Sequence, residues 1–264
     1  MKVPKGLLLS DFARAKNGIT QFISEYIKEA RLDGAVLGLS GGIDSALTAA
    51  LACEALGPTF VHAVMMPVDA EKDQDNISDA KAVASDIGLK PRLFEIGPAV
   101  EFFKSKMSLD RLARANLTAR LRMVALYAEA NQKNLLVLGT GNKSEIMAGY
   151  FTKYGDGGAD ILPIGDLYKT NVFNLTEFLD LPEFLLTKPP SAGLWPEQTD
   201  EDELGVTFDV LDTVLYMLYE QYKDEQEIIS YGVSEEDLNR VKQLVRQSEH
   251  KRASVPVKSI KRGK

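Results

Sequence analysis

The chain has 264 residues, 45% of them apolar, enough to fill the core of one large globular domain or two small ones. Its 31 Lys and Arg stand against 38 Asp and Glu, a net charge of −7 that argues against wholesale wrapping of nucleic acid or an anionic membrane surface. The single cysteine, Cys53, excludes an intramolecular disulfide, a multi-cysteine metal site and a secreted disulfide scaffold, so a reducing cytoplasm is expected.

At the start of the chain, Leu7-Leu8-Leu9 runs directly into Ser10, Asp11 and Arg14, unlike a secretion signal. No run reaches the ~20 apolar residues of a membrane-spanning helix. Helical spacing of Phe12, Ile19, Phe22, Ile23, Tyr26 and Ile27 predicts an amphipathic helix over 10–31. Short apolar runs come next, at 35–39, 61–66, 92–96 and 135–138. They lack alternation, as strands buried on both faces do. Helical stretches lie between them at about 45–56, 76–87 and 116–132. The alternation predicts an α/β domain with a doubly wound, mostly parallel sheet and helices on both faces. Residues 139–164 are rich in glycine and polar groups and too long for an ordinary connection, so a functional loop is expected there. Further helices are predicted at 171–179, 208–222 and 234–248. No internal repeat or low-complexity linker interrupts the sequence, so residues 1–264 are read as one domain. From His250 onward there are six cations (Lys251, Arg252, Lys258, Lys261, Arg262, Lys264) and no acid, a basic tail from about residue 250 on an acidic body.

In doubly wound sheets ligands sit beyond the carboxyl ends of strands. Directly after Leu39 comes Ser40-Gly41-Gly42-Ile43-Asp44-Ser45, between a predicted strand and a predicted helix. Two glycines allow a tight turn, and the amides of the turn and first helical turn are unpaired donors suited to a phosphate. No Gly-Lys-Ser/Thr succeeds it, so this is not a Walker A loop, and its glycine spacing is not the Rossmann fingerprint. The string resembles the hallmark Ser-Gly-Gly-x-Asp-Ser of the pyrophosphate-loop ATPases (N-type ATP pyrophosphatases). These cut ATP between its α and β phosphates to adenylate a substrate. The resemblance makes Asp44 the expected Mg²⁺ ligand at the mouth of the site.

In the long loop, Glu145 comes after a glycine-rich turn at the end of a strand and is a candidate second magnesium ligand. Lys153 offers charge to an anion, while Asp156, Asp160 and the neighbouring glycines suit either a functional loop or plain turns. The string Gly149-Tyr150-Phe151-Thr152-Lys153-Tyr154-Gly155-Asp156-Gly157-Gly158-Ala159-Asp160 resembles the hallmark of the NAD⁺ synthetases. Strings at 166–170, 188–195, 198–201 and 248–252 are similar to that family as well, so the resemblance runs from about Ile19 to Arg252.

The resemblance implies an adenine-nucleotide-α-hydrolase-like fold and an ammonia-dependent ligase completing NAD⁺ biosynthesis. ATP is the co-substrate, and deamido-NAD⁺ is amidated through an acyl-adenylate, giving NAD⁺, AMP and pyrophosphate. It implies that Gly38, Leu39, Ser40, Gly41, Gly42, Ile43, Asp44 and Ser45 cradle ATP phosphates, that Thr140, Lys169 and Ser191 contact ATP, and that Asp44 and Glu145 bind Mg²⁺. Arg120, Lys153, Asp160, His250 and Lys251 would contact deamido-NAD⁺. Asp156, Lys153 and Lys169 are the residues expected to serve the chemistry, with Asp156 near the reacting carboxyl and the ammonia. The string Gly141-Asn142-Lys143-Ser144 departs from the Asp-His-containing string of many bacterial members. Ser191 stands where many relatives carry threonine, which preserves the hydroxyl.

Residues 1–33 have no room for a glutaminase domain, so free ammonia is the expected nitrogen source unless a separate subunit supplies it. Helix 116–132 is apolar almost all round, which predicts burial on more than one side and, with the resemblance, a homodimer. Cys53 and His62 are read as structural, Trp195 as apolar cover beside the site, and the acids after Thr199 as a charged helix start. Neither a nucleic acid nor a membrane is an expected partner. The competing readings are another pyrophosphate-loop enzyme, such as a tRNA thiolase or GMP synthetase, and a non-catalytic nucleotide-binding regulator.

Overall fold

A computed structural model describes residues 2–191 and 199–260 of the chain. The readings of Trp195 and of Lys261, Arg262 and Lys264 lie outside them. Helix α1 (Phe12–Ala30) starts where the Asp11 carboxylate accepts the Arg14 N–H and turns Ile23 and Ile27 inward. Strand β1 (Gly34–Gly38) leads into α2 (Ile43–Leu56), and β2 (Val61–Met65) into α3 (Gln74–Asp86). Then come β3 (Arg92–Leu93), α4 (Gly97–Lys104), α5 (Arg111–Lys133) and β4 (Leu135–Val137). The second half is helical: α6 (Lys143–Ala148), α7 (Lys169–Phe178), α8 (Phe184–Thr187), α9 (Asp200–Leu204), α10 (Phe208–Leu215), α11 (Glu225–Ser230), α12 (Glu235–Gln247) and α13 (Glu249–Arg252).

The four strands are all parallel, in the order β3-β2-β1-β4. Side chains of each strand alternate between two apolar layers. Ala35, Leu37, Ala63 and Leu136 face α1, α2 and α7, while Val36, Val64 and Val137 face α5. The doubly wound sheet read from the apolar runs is therefore present. A further apolar cluster, with Tyr168, Phe208, Leu211, Val214, Leu238 and Val241, joins α9 to α12 beneath the long loop. Among the described residues, no helix is long and apolar enough to cross a membrane.

Several elements differ from their predicted form. Only Arg92–Leu93 pairs regularly in the third strand, because it is the sheet edge and Gly97-Pro98 starts a helix. The predicted helix over 208–222 ends as α-helix at Leu215 and continues as a π-helical turn, Tyr216–Glu220. Helix α5 is covered on its sheet side at Leu121, Leu126 and Ala130 and by the long loop at Asn116, Ala119 and Met123, so it is buried on more than one side, while Leu112 and Val124 are exposed. Cys53 packs against the core, and burial pushes its thiol up to about 11, as a structural residue. His62 bonds Glu129 within a surface group of Arg92 and Lys133.

The end of α12 rests on the long loop at Gly149. This glycine has φ +71°, and a Cβ there would lie 1.9 Å from the Ser248 Cβ. Gly149→Ala is therefore expected to lower stability by about 1–3 kcal/mol through strain and overpacking. An unchanged denaturation midpoint would show that this contact is not tight.

Candidate active site

In this strand order the chain reverses direction across the sheet between β1 and β4, and the loops leaving those strands meet there. Leaving β1, the Ser45 hydroxyl accepts the Ser40 N–H (3.2 Å) and donates to the Gly42 carbonyl (2.9 Å), folding residues 40–45 into a closed turn at the start of α2. Gly41 has φ +83°, and a Cβ there would stand 2.6 Å from the Asn76 carbonyl, so the glycine is required by the approach of α3.

Leaving β4, Asn142 caps α6: its side chain accepts the Glu145 N–H (3.0 Å), and Glu145 accepts the Asn142 N–H (3.2 Å) in return. The other end of the Asn142 amide donates to Asp44 (2.8 Å), joining the two loops. Lys169, the first residue of α7, completes the group. Its ammonium is 2.5 Å from Asp44 and 3.6 Å from Glu145, with 1% of the residue exposed. It also lies over the Phe208 ring at 5.1 Å. Burial opposes the charge on Lys169, but Asp44 and Glu145 outweigh it and hold the ammonium above the ordinary lysine range. Burial and the Asp44 charge push Glu145 up to about 8, with Lys169 opposing.

One cleft joins these groups. Gly38, Leu39, Ser40, Gly42, Ile43, Asp44, Ser45, Thr140, Glu145, Asp156, Lys169, Ser191 and Lys251 all line it, while Gly41 lies behind the turn. Asp156 accepts the Thr152 N–H (3.0 Å), and burial raises its pKa, with Lys251 opposing. Lys251 donates to the Gly149 and Phe151 carbonyls (2.7 and 2.8 Å). Four of the expected dinucleotide contacts lie outside the cleft lining. The Arg120 guanidinium meets the Lys153 carbonyl, the Lys153 ammonium meets the His250 carbonyl (2.6 Å), and Asp160 accepts the Val137 N–H (2.8 Å) and the Tyr127 hydroxyl (2.9 Å). Asp160 borders a smaller pocket with Tyr26 and Tyr127.

Sequence reasoning missed three cleft or near-cleft groups. Asn142 bears directly on Asp44, and its Asn-x-x-Glu spacing is a capping-box signal inside what reads as a loop. Asp200, the buried first residue of α9, adds negative charge near Glu145. Arg122 lines the cleft and donates to the Met66 carbonyl (3.1 Å), with Asp73 and Asp156 nearby. Two residues apart on a helix, Arg120 and Arg122 face different sides, so only the second turns inward.

The donor set suits a small hard cation. Asp44 and Glu145 present carboxylate oxygens to a common point at which Lys169 now supplies the positive charge. Magnesium commonly takes only one or two protein carboxylates and completes its shell with water and substrate phosphates.

A Ser-Gly-Gly-x-Asp-Ser turn at the switch point of a parallel sheet defines the pyrophosphate-loop fold. More narrowly, the chain belongs to the NAD synthase family, which matches residues 15–255. It is 47% identical to the NH3-dependent NAD⁺ synthetase of Methanosarcina acetivorans over 95% of this chain and 99% of that one. Among solved structures, an NMN synthetase from Francisella tularensis superposes with a TM-score of 0.83 at 36% identity, covering 95% of this chain and 99% of that one. The NH3-dependent NAD synthetase of Campylobacter jejuni gives 0.81 at 30% identity, covering 95% and 100%.

Replacing Lys169 with Met leaves Asp44 and Glu145 facing each other without a cation. The variant is expected to lose about 3 kcal/mol of stability in chemical denaturation, the usual cost of removing one partner of a buried pair. A loss below about 0.5 kcal/mol, the range of ordinary surface substitutions, would show that the pairing contributes nothing to folding.

Proposed function

We propose that the chain is an ammonia-dependent ligase that converts deamido-NAD⁺, ATP and ammonia into NAD⁺, AMP and pyrophosphate. The observation that carries this reading is the Lys169 ammonium held between Asp44 and Glu145 beside the phosphate-binding turn. The relatives named as NH3-dependent synthetases over nearly the full chain support it. We read residues 1–264 as one catalytic domain, a reading supported by Tyr168 packing in one apolar cluster and Val172, one turn later, in another. The cytoplasm is the compartment this reading assigns.

A nicotinate carboxylate is a poor electrophile because oxide is a poor leaving group. In the first step its oxygen attacks the α-phosphorus of ATP, the bond to the β-phosphate breaks, and pyrophosphate leaves. The amides of the 40–45 turn bind the two departing phosphates as a unit, and Lys169 supplies fixed positive charge to them. Thr140 and Ser191 offer hydroxyls to ATP. Asp44 and Glu145 would hold Mg²⁺, which neutralises phosphate charge when bound. In the second step ammonia attacks the acyl carbon, AMP leaves, and one proton is released. Asp156, a buried carboxylate with a raised pKa on the cleft wall, is placed to take it. Lys153, Lys251, Arg120, Asp160 and His250 are assigned to the dinucleotide.

We assign a homodimer as the working form. Exposed Phe102, Met107, Leu112 and Val124 on and between α4 and α5 form an apolar surface that a second copy would cover. Analytical ultracentrifugation is expected to give a dimer at micromolar concentrations, and a monomer independent of concentration would refute this.

With ATP, Mg²⁺, ammonium and deamido-NAD⁺ supplied together, AMP, pyrophosphate and NAD⁺ are expected in equal amounts. Glutamine alone should give no turnover, and nicotinic acid mononucleotide should be the poorer substrate. Release of ADP, or AMP formation that does not depend on deamido-NAD⁺, would overturn the assignment. Asp44→Asn is expected to lower adenylation at least ~100-fold, the scale of losing one electrostatic stabiliser of a transition state.

A further inference from the structure

Asp212 of α10 is fully buried and does not line the cleft, and the chemistry above gives it no role. It nevertheless reaches both helices that carry the buried cation pair. Its Oδ1 accepts the Ser144 hydroxyl, and its Oδ2 accepts the Thr170 N–H at 2.9 Å. Ser144, also fully buried, accepts the Lys169 N–H at 2.8 Å on the same hydroxyl oxygen. One carboxylate thus binds the first turn of α6 at Ser144, next to Glu145, and the Thr170 amide of α7 directly, and reaches the Lys169 amide through the Ser144 hydroxyl. First-turn amides lack partners within their own helix, so these need an outside acceptor in a dry interior. Asp212 is therefore the polar tie between the two helix starts and α10.

We propose that Asp212, acting through Ser144, is a positioning residue of the active site: it fixes the spacing between Glu145 and Lys169 and thereby sets turnover without touching substrate. The inference rests on the catalytic reading above and deepens it. An error of about 1 Å in the placement of a reacting group can cost ~100-fold in rate, so a relay that anchors two such groups at their backbones has leverage on kcat.

The test compares wild type with Asp212→Asn, which keeps shape but offers one acceptor oxygen, and with Ser144→Ala. Steady-state kinetics per folded site, thermal unfolding and crystal structures of each would be measured. The expected result is a fall of about 10- to 100-fold in kcat, with KM for ATP and deamido-NAD⁺ changed less than about three-fold. The double variant should lose no more than the worse single one, because both substitutions break one relay. In the variant structures the Lys169 ammonium should be displaced relative to Asp44 or Glu145. A folded variant with kcat within about two-fold of wild type, or a fall in kcat with the three side chains unmoved, overturns the proposal. Should Asp212→Asn fail to fold, Ser144→Ala, which removes a single hydroxyl, carries the test by the same criteria. A wild-type protein that makes no NAD⁺ would count against the functional reading, and the side-chain positions in the variant structures would then decide the positioning claim.

Discussion

The arrangement of this molecule depends on keeping one ammonium charged where water does not reach it. Taking Lys169 out of solvent is unfavourable by several kcal/mol unless carboxylates replace the lost hydration. The two that do so come from other parts of the chain, Asp44 at the start of α2 and Glu145 in α6. Three segments must therefore converge before any of them is stable in place. Parallel β1 and β4 lie side by side, so the loops leaving their carboxyl ends are already neighbours. Asn142 then ties one loop to the other through Asp44. The 40–45 turn, the carboxylates and the lysine form one electrostatic unit, and none of the three has its present environment without the other two.

The long loop is held rigid by the same need to satisfy unpaired groups. Lys251 donates to the carbonyls of Gly149 and Phe151, and Arg252 to those of Ile146, Met147 and Val245. These carbonyls include two of the last turn of α6, Ile146, which also accepts the Gly149 N–H, and Met147. Lys251 and Arg252 thus act on backbone dipoles, and Lys251 also lines the cleft. The loop between β4 and α7 is consequently a wall built from both ends of the catalytic half of the chain, and the side chains it carries can be held to a fixed geometry.

Much of this was legible in the amino-acid sequence alone. Apolar runs marked β1, β2 and β4, because both faces of the sheet are covered there, and the Ser-Gly-Gly-Ile-Asp-Ser turn stood where a phosphate site belongs. What the sequence hid has a common cause. Periodicity reports how a residue sits relative to its near neighbours, whereas Asp44 meets Asn142 across 98 positions and Lys169 across 125. Lys169 and Lys251 were visible only through resemblance to a family. Arg122 was overlooked beside Arg120 because two arginines on one helix look alike until the helix is seated on a sheet. Asp212 shares a helix face with Phe208, Leu211 and Leu215, and only the packing of α10 against two helix starts shows where its carboxylate goes. The edge strand was overestimated for a different reason: Leu93 and Phe94 have strand composition, but nothing pairs with their outer side.

An overall charge of −7 looks ill suited to a site that must gather ATP and an anionic dinucleotide. The difficulty disappears once distance is considered. Exposed charges more than ~8–10 Å apart are largely screened at physiological salt, so the acids spread over the surface contribute little at the cleft. Several of the cations that line it lie beside acids: Lys169 by Asp44 and Glu145, Lys188 by Asp79, and Lys251 and Arg122 near Asp156. Each acid reduces the free attraction for anions, but it also holds its cation in place before substrate arrives. For a reaction in which charge moves from a phosphate ester to a departing pyrophosphate, that fixed orientation matters more than excess positive charge, because no rearrangement is then needed as the new charge develops. Weak net attraction combined with strong local organisation also favours release of pyrophosphate and AMP, which a site of uncompensated cations would retain.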